Sequence, residues 1–401
     1  MRAPRHAADD KSPFAKIPPP CPYFGTCGGC TLQDLAYPDQ VALKQERLRR
    51  VLSALGEVPP VELVPLEDPW RYRNKAEFSF GAQEQAVQLG FHVAGSFVKI
   101  VDLDDCLLLP EPLMAVVRTA RTLAVQTQLP VYHPRTHQGV LRYLLARHSG
   151  LTGQQLLCLV TAPADRALIE RWAASLRQQH PTVGSLYWGV TERLADVAVP
   201  EELILLGGDG TFEDQIGPFR LALHPFSFLQ SSGRQAHRLY ATLMDWLPEQ
   251  PKGTAWDLYC GVGIIALYLA GRFGQVYGID SEAHHIALAK RNAERNGITN
   301  VKFKAGKTED VLGDRRFWLA EAKPDVVVVD PPRAGLHAQA LDSLLAARPA
   351  RIGYISCNAA ALVRDVQRLA ASYPRYRLTK LAAFDMFPQT NHIETVALLE
   401  R

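Results

Sequence analysis

Nowhere in these 401 residues does an uninterrupted apolar stretch reach the length needed to span a bilayer. That argues against a helical membrane protein and for a globular class, in keeping with 47% hydrophobic and 21% charged residues. A secretory leader is missing as well. Met1 to Pro20 carries Arg2, Arg5, Asp9, Asp10, Lys11 and consecutive prolines but no apolar core, and reads as a disordered lead-in over residues 1–20. The chain is therefore expected in the cytoplasm, with its seven cysteines acting as thiols, ligands or nucleophiles rather than disulfides. Net charge is nearly absent too, at +3. It is unevenly spread: residues 226–401 hold 22 basic and 17 acidic side chains, residues 61–225 hold 14 and 18. A modestly basic C-terminal part fits a polyanionic substrate without requiring one.

The pattern divides the chain. Residues 21–60 hold a cysteine cluster followed by a helix from Pro38 to Leu55, whose apolar stripe is Val41, Leu48, Val51, Leu52 and Leu55. Gly56 and Pro59-Pro60 stop it. Residues 61–225 mix alternating strand patterns (Ala76–Phe80, Gly90–Val93, Gly139–Arg147, Gln155–Thr161, Ser185–Thr191) with helices near Leu113–Val125 and Ala164–Gln179, an α+β domain without a cofactor motif. Within it, Trp70-Arg-Tyr-Arg-Asn-Lys75 interleaves cations with aromatics, a combination that can hold phosphates and stack bases. From Gly253 strands and helices alternate strictly, and four consecutive valines, Val326–Val329, suit a strand covered on both faces. Residues 226–401 thus predict a doubly wound, mostly parallel α/β domain.

The first strand–helix turn of that domain reads Asp257-Leu-Tyr-Cys-Gly261-Val-Gly263. Its glycines allow a tight turn and close approach of a ligand at the strand's carboxyl end. The third glycine of the dinucleotide pattern is absent, since Ala266 stands there. Asp280 ends the second strand, where a carboxylate can take both hydroxyls of a ribose. An adenosyl cofactor without pyrophosphate fits better than a nicotinamide one. Asp330-Pro331-Pro332 leaves the fourth strand with two amide donors removed, a stiff loop able to line a flat pocket for a base.

Ser356-Cys357-Asn358 sits at the end of the fifth strand, and His392-Ile-Glu394-Thr395 follows further on. A helix begins just after Cys357, which predicts a lowered thiol pKa and a reactive thiolate. A thiolate to add to a ring carbon and a carboxylate to remove a proton, beside an adenosyl site, are the parts needed to methylate a pyrimidine at carbon-5. The early cysteines, Cys21, Cys27 and Cys30, suit an iron–sulfur cluster or zinc. No second close Cys or His pair completes a zinc knuckle, so a distant fourth ligand is required.

From about Cys21 to the C-terminus these motifs resemble the S-adenosylmethionine-dependent RNA 5-methyluridine methyltransferases. The resemblance rests on Phe228-Leu-Gln230, the Asp257–Gly263 turn, Asp330-Pro-Pro-Arg333-Ala-Gly335, Ser356-Cys357-Asn358 with Leu362 and Arg364-Asp365, and Asp385-Met-Phe-Pro-Gln389-Thr-x-His392-Ile-Glu394. It implies a class I, Rossmann-like methyltransferase domain in which Cys357 attacks carbon-6 of a uracil and Glu394 removes the carbon-5 proton. It assigns cofactor contacts to Gln230, Tyr259, Asp280 and Asp330, beside Gly261, and makes Cys21, Cys27, Cys30 and Cys106 ligands of a [4Fe–4S] cluster. RNA is the implied partner, 23S ribosomal RNA above all, with no membrane and no protein partner. Relatives acting on the transfer-RNA T-loop generally lack the cysteine cluster, which leaves that substrate as the alternative. A non-catalytic iron–sulfur RNA-binding protein is a further one. Two positions depart from the pattern: Ser232, where Asn is frequent, and Ala359, where Pro is common.

Overall fold

The computed structural model describes residues 13–84, 86–195, 197–314, 323–372 and 375–401. The chain forms two compact units, and neither is continuous in sequence. The first takes the residues up to Asp39, Asp68–Asp214 and Leu223–Phe226; the second takes Gln40–Glu67, Gln215–Ala222 and Ser227–Arg401.

The first unit is built on a seven-stranded sheet in the order Ile100–Asp102, Ala86–His92, Lys75–Gln83, Leu141–His148, Gln155–Thr161, Val183–Val190, Glu202–Gly208. All neighbours are antiparallel except Gln155–Thr161 beside Val183–Val190, whose parallel pairing needs the crossover helix Arg166–Gln179. Asp165 caps that helix by accepting the Ala167 amide at 2.9 Å. Helix Glu111–Thr127 packs beside it, and Trp172 donates its indole N–H to the Ala120 carbonyl at 3.1 Å. Leu113, Val117, Ala120, Ile169 and Leu176 join Phe78, Leu144 and Leu157 in one core.

The second unit carries an eight-stranded sheet: Leu63–Val64, Arg377–Phe384, Glu394–Glu400, Arg351–Ser356, Val326–Val329, Gln250–Leu258, Phe273–Asp280, Val301–Ala305. Only Glu394–Glu400 runs antiparallel to its neighbours. Val326–Val329 is fully buried, as four β-branched residues in a central parallel strand should be. The chain leaves Gln250–Leu258 in one direction, fills two strands, then returns to place Val326–Val329 on the other side. This reversal is the switch point at which such sheets bind ligands, outside the strands' carboxyl ends. The doubly wound, mostly parallel α/β architecture expected of residues 226–401 is observed.

Three expectations are corrected. The helix assigned to the cysteine segment, observed as Tyr37–Leu52, belongs from Gln40 onward to the second unit. The cause is a buried ion pair from Lys44 Nζ to Asp385 at 2.7 Å, together with Leu48 and Leu52 in that unit's core. Residues 61–67 follow it, because Leu63–Val64 pairs in parallel with Ala383 and Phe384. Of the expected lead-in, residues 1–12 lie outside the described residues. Lys16, by contrast, bridges to Leu35, and Ile17 donates its amide to Asp34, so the end of that segment is ordered.

Candidate active site

Strand Gln250–Leu258 runs into a turn where Tyr259, Gly261 and Gly263 all have positive φ, at 65°, 53° and 88°. Glycine takes this conformation freely, whereas at Tyr259 it is strain of the kind concentrated at functional sites. A Cβ on Gly263 would meet Ala289 and Phe303 at 3.0 Å, so that glycine serves packing. A Cβ on Gly261 would meet nothing within 4 Å, so the space over it is open to a ligand. Asp280 braces the turn: one oxygen accepts the Gly261 amide at 2.9 Å, the other the Glu282 amide at 2.9 Å and His285 Nδ1 at 3.1 Å. Burial opposes its charge, but His285 and the two amides outweigh burial and hold the carboxyl below its ordinary value. An ionised acceptor beside an open glycine turn fits the ribose of an adenosyl group. Gln230 is buried on the loop before helix Gly233–Trp246. Ser232 caps that helix by accepting the Gln235 amide, a role asparagine fills equally well, so this departure is accounted for.

The antiparallel strand explains how two residues far apart in sequence share one place. Ser356 pairs with Thr395, and the Thr395 hydroxyl donates to the Ser356 carbonyl at 3.0 Å. Cys357 follows the last residue of a strand running one way, and Glu394 opens its neighbour running the other way. Both therefore stand at the carboxyl end of the parallel strands, with Asp330 just beyond Val329. Glu394 is buried, and its Oε2 has no hydrogen-bond partner among the described residues. Burial, then the charge of Asp330, push its carboxyl far up, against the pull of Arg333. Burial likewise pushes Asp330 up to about 7.

The lowered thiol pKa expected at Cys357 is not found. Burial raises the thiol, the charge of Glu394 raises it further, and Arg333 alone among side chains works against them. Asn358 caps the following helix, Ala359–Ala371, by accepting the Ala360 amide at 3.1 Å. Ala359 occupies the first helical position, which proline favours but does not require.

Several contributors had no individual role in the sequence reading. Gly335, at φ 82°, is clamped: the buried Asp365 accepts the Leu336 amide at 2.8 Å and the Tyr354 hydroxyl at 2.7 Å. Arg364 donates to Asp365 at 2.9 Å and to the Ala334 carbonyl at 2.6 Å. Together they fix the loop that presents Arg333. The Asp385–Gln389 loop, which leads to Glu394, is held by Lys44 and by Gln40, which accepts the Gln389 amide at 3.0 Å. Gln389 itself sits at φ 69°. Asp257 is fully buried and accepts the Ala266 amide at 2.8 Å, anchoring the helix after the glycine turn; burial pushes its carboxyl well up. A carboxylate inside a motif is a visible signal, but its partner is not.

In the first unit Cys21, Cys27, Cys30 and Cys106 line one small cavity as free thiols. Burial pushes Cys30 up to about 12 and Cys106 to about 11. Among the described residues no three His, Cys, Asp or Glu side chains are arranged to hold a metal ion, so the expected ligand set is gathered but not formed into a site. The Trp70–Lys75 run is also reassigned in part. Arg71 spends its guanidinium on Asp105, at 2.7 and 2.6 Å, and on the Cys106 and Leu109 carbonyls, and so latches the Cys106 loop. Lys75 pairs with Glu77 at 2.8 Å. No helix among the described residues is long and apolar enough to cross a membrane.

Residues 220–401 match a family model described as tRNA (uracil-5-)-methyltransferase. An uncharacterized RNA methyltransferase of Chlorobaculum tepidum is 37% identical over 96% of this chain and 83% of its own length. One from Halalkalibacterium halodurans is 35% identical over 96% and 84%. Among solved structures, the Pyrococcus abyssi tRNA (uracil-54, C5)-methyltransferase in complex with S-adenosyl-L-homocysteine is 29% identical, with a TM-score of 0.75 over 92% of this chain and 85% of that one. Sequence, fold and the bound ligand of that neighbour agree on S-adenosylmethionine as the cofactor. The chain belongs to the S-adenosylmethionine-dependent RNA uracil-5 methyltransferases.

Proposed function

We propose that the enzyme methylates carbon-5 of a specific uridine in 23S ribosomal RNA through a covalent adduct between Cys357 and carbon-6. The observation that carries the mechanism is the strand register that brings Cys357, Glu394 and Asp330 to one end of the sheet. The Cys357 thiol gives up its proton to solvent and its sulfur, as the thiolate, adds to carbon-6, which makes carbon-5 nucleophilic as an enolate. S-adenosylmethionine supplies the methyl group that carbon-5 takes. Glu394, as the carboxylate, removes the carbon-5 proton, and the returning electron pair expels the Cys357 sulfur and restores the ring. Arg333 opposes the raised pKa of both groups and so favours the ionised form of each. Gln230, Tyr259, Gly261, Asp280 and Asp330 would hold the cofactor. The target base would be unstacked from the RNA to reach the strand ends.

Cys21, Cys27, Cys30 and Cys106 would hold a [4Fe–4S] cluster. Their gathering around one cavity supports this. Reduced thiols in that number fit a cytoplasmic enzyme. The cysteine quartet is also the ground for ribosomal rather than transfer RNA. The named activity of the Pyrococcus abyssi neighbour on tRNA uracil-54 supports the second reading, the same chemistry on transfer RNA.

The test uses labelled S-adenosylmethionine with unmodified ribosomal and transfer RNA, then nuclease mapping. 5-Methyluridine in one large-subunit fragment is expected. Label in transfer RNA alone keeps the chemistry and overturns the substrate.

A further inference from the structure

The seven-stranded unit contains a cavity of about 430 Å³ that neither the cysteine quartet nor the strand-end site uses. That volume lies in the range of sites that enclose small ligands. Phe97, Lys99, Tyr132, His133, Arg142 and Tyr143 are among its lining residues. No aspartate or glutamate lines it among the described residues.

Arg142 is the informative member. The residue is 3% exposed, yet its guanidinium meets no carboxylate there: it donates to the Arg193 carbonyl at 2.6 Å and the Ala195 carbonyl at 2.9 Å. The same group lies 4.1 Å over the Tyr132 ring and 5.7 Å from that of Tyr143, and its Nε is buried with no hydrogen-bond partner among the described residues. Carbonyl dipoles and ring faces soften a buried positive charge but do not neutralise it. At the mouth, Phe97 is 57% exposed, with Arg135 over its ring at 5.2 Å. A largely exposed phenylalanine and a buried cation lining one cavity, with no carboxylate among its lining residues, call for a ligand with a flat face and a negative charge. A nucleotide has both.

We propose that this cavity holds one unstacked nucleotide of the substrate RNA, distinct from the uridine being methylated. Its base stacks on Phe97 or Tyr132, and its phosphate faces Arg142 and Lys99. Concave walls and exposed ring faces select a splayed, single-stranded nucleotide, because a duplex keeps its bases stacked on each other. The proposal rests on RNA as the substrate, and it gives the seven-stranded unit a share in choosing which RNA is bound.

The experiment uses the full chain, a fluorescein-labelled decauridylate and a decauridylate carrying one photoreactive 4-thiouridine. Phe97 and Lys99 are exposed, so Phe97→Ala and Lys99→Gln should leave the thermal midpoint and S-adenosylhomocysteine binding unchanged. Phe97→Ala should weaken decauridylate binding roughly 5- to 100-fold. Lys99→Gln should flatten the salt dependence of binding by about one phosphate contact. Photolysis should attach the 4-thiouridine to a peptide containing Phe97 or Tyr132. Wild-type affinity in both variants, or crosslinks confined to other peptides, overturns the proposal. Methyl transfer to RNA, measured on the same proteins, separates the two ideas. A wild type that binds the oligonucleotide through Phe97 but methylates no RNA overturns the proposed function alone. A wild type that methylates RNA while Phe97→Ala binds and reacts like it overturns the cavity alone.

Discussion

Replacing Lys44 with methionine tests whether the early helix builds the active site or merely lies beside it. Methionine preserves most of the side chain's length and removes its charge and its donors. Lys44 and Asp385 are both completely buried and 2.7 Å apart, and Lys44 also donates to the Phe387 carbonyl at 3.0 Å. Burial works to lower the ammonium's pKa, and Asp385 opposes that. Without the cation, Asp385 keeps a buried charge that water cannot reach, a change that costs about 3–5 kcal/mol. For a unit of this size each kcal/mol shifts the midpoint by about 2–4 °C, which gives a fall of roughly 6–20 °C. Tryptophan fluorescence is a suitable probe, since Trp256 lies fully buried in the same unit's core. Because the Asp385–Gln389 loop leads to Glu394, kcat should fall as well, even below the new midpoint. Combining Lys44→Met with Asp385→Leu should recover at least half of the lost stability, because the stranded charge is gone. A loss under about 1 kcal/mol in the single variant would refute the reasoning, by showing that Asp385 is satisfied without Lys44.

The other predictions concern the chemistry. Cys357→Ala should reduce methyl transfer by at least about a thousandfold while S-adenosylhomocysteine binding, read by calorimetry, persists. Glu394→Gln should accumulate a protein–RNA adduct that survives denaturing electrophoresis, since the carbon-5 proton has no acceptor; normal turnover without an adduct would count against its role. Both reacting groups have raised pKa values, so their ionised forms grow as pH rises. Single-turnover rates should therefore climb with pH through neutrality, and Arg333→Met should move that limb to higher pH. Asp330, at about 7 folded against an ordinary 3.8, stabilises the fold below its unfolded value, and that contribution is lost as pH rises through 7. Asp330→Asn should therefore melt higher than wild type at pH 8 but not at pH 3, below the ordinary carboxyl value, by at most about 4 kcal/mol, less where solvent screens its exposed edge.

Local pattern reveals the second unit's sheet well because its strands are short apolar runs bounded by turns. Val326–Val329 falls where four apolar β-branched residues in a row put it. Leu63–Val64 escapes, being two residues long and defined by a partner more than three hundred positions away. Helix Gly233–Trp246 escapes as well, although Ser232 marks its start. At the site, Cys357 and Glu394 are legible as residue types, and the antiparallel register that joins them is a tertiary fact. The thiol's pKa escapes for the same reason: the helix dipole is local, whereas burial, then Glu394 and Asp330, which raise the pKa, come from the tertiary fold. Arg71 looked like a phosphate ligand until Asp105, far along the chain, was seen to hold it.

The interleaved order of the two units has a consequence for biosynthesis. Lys44 leaves the ribosome 341 residues ahead of the aspartate that neutralises it. At ordinary elongation rates of about 5–20 residues per second that interval is roughly 20–70 s. Throughout it, Leu48 and Leu52 have no finished sheet to cover them. The seven-stranded unit, nearly complete by Phe226, is available to fold first, while the methyl-transferring unit closes only once its last strand has emerged. Premature termination between Phe226 and Glu394 therefore leaves not a weakened enzyme but a folded first unit trailing an unclosed sheet with adhesive edges, a ready substrate for chaperones and proteases.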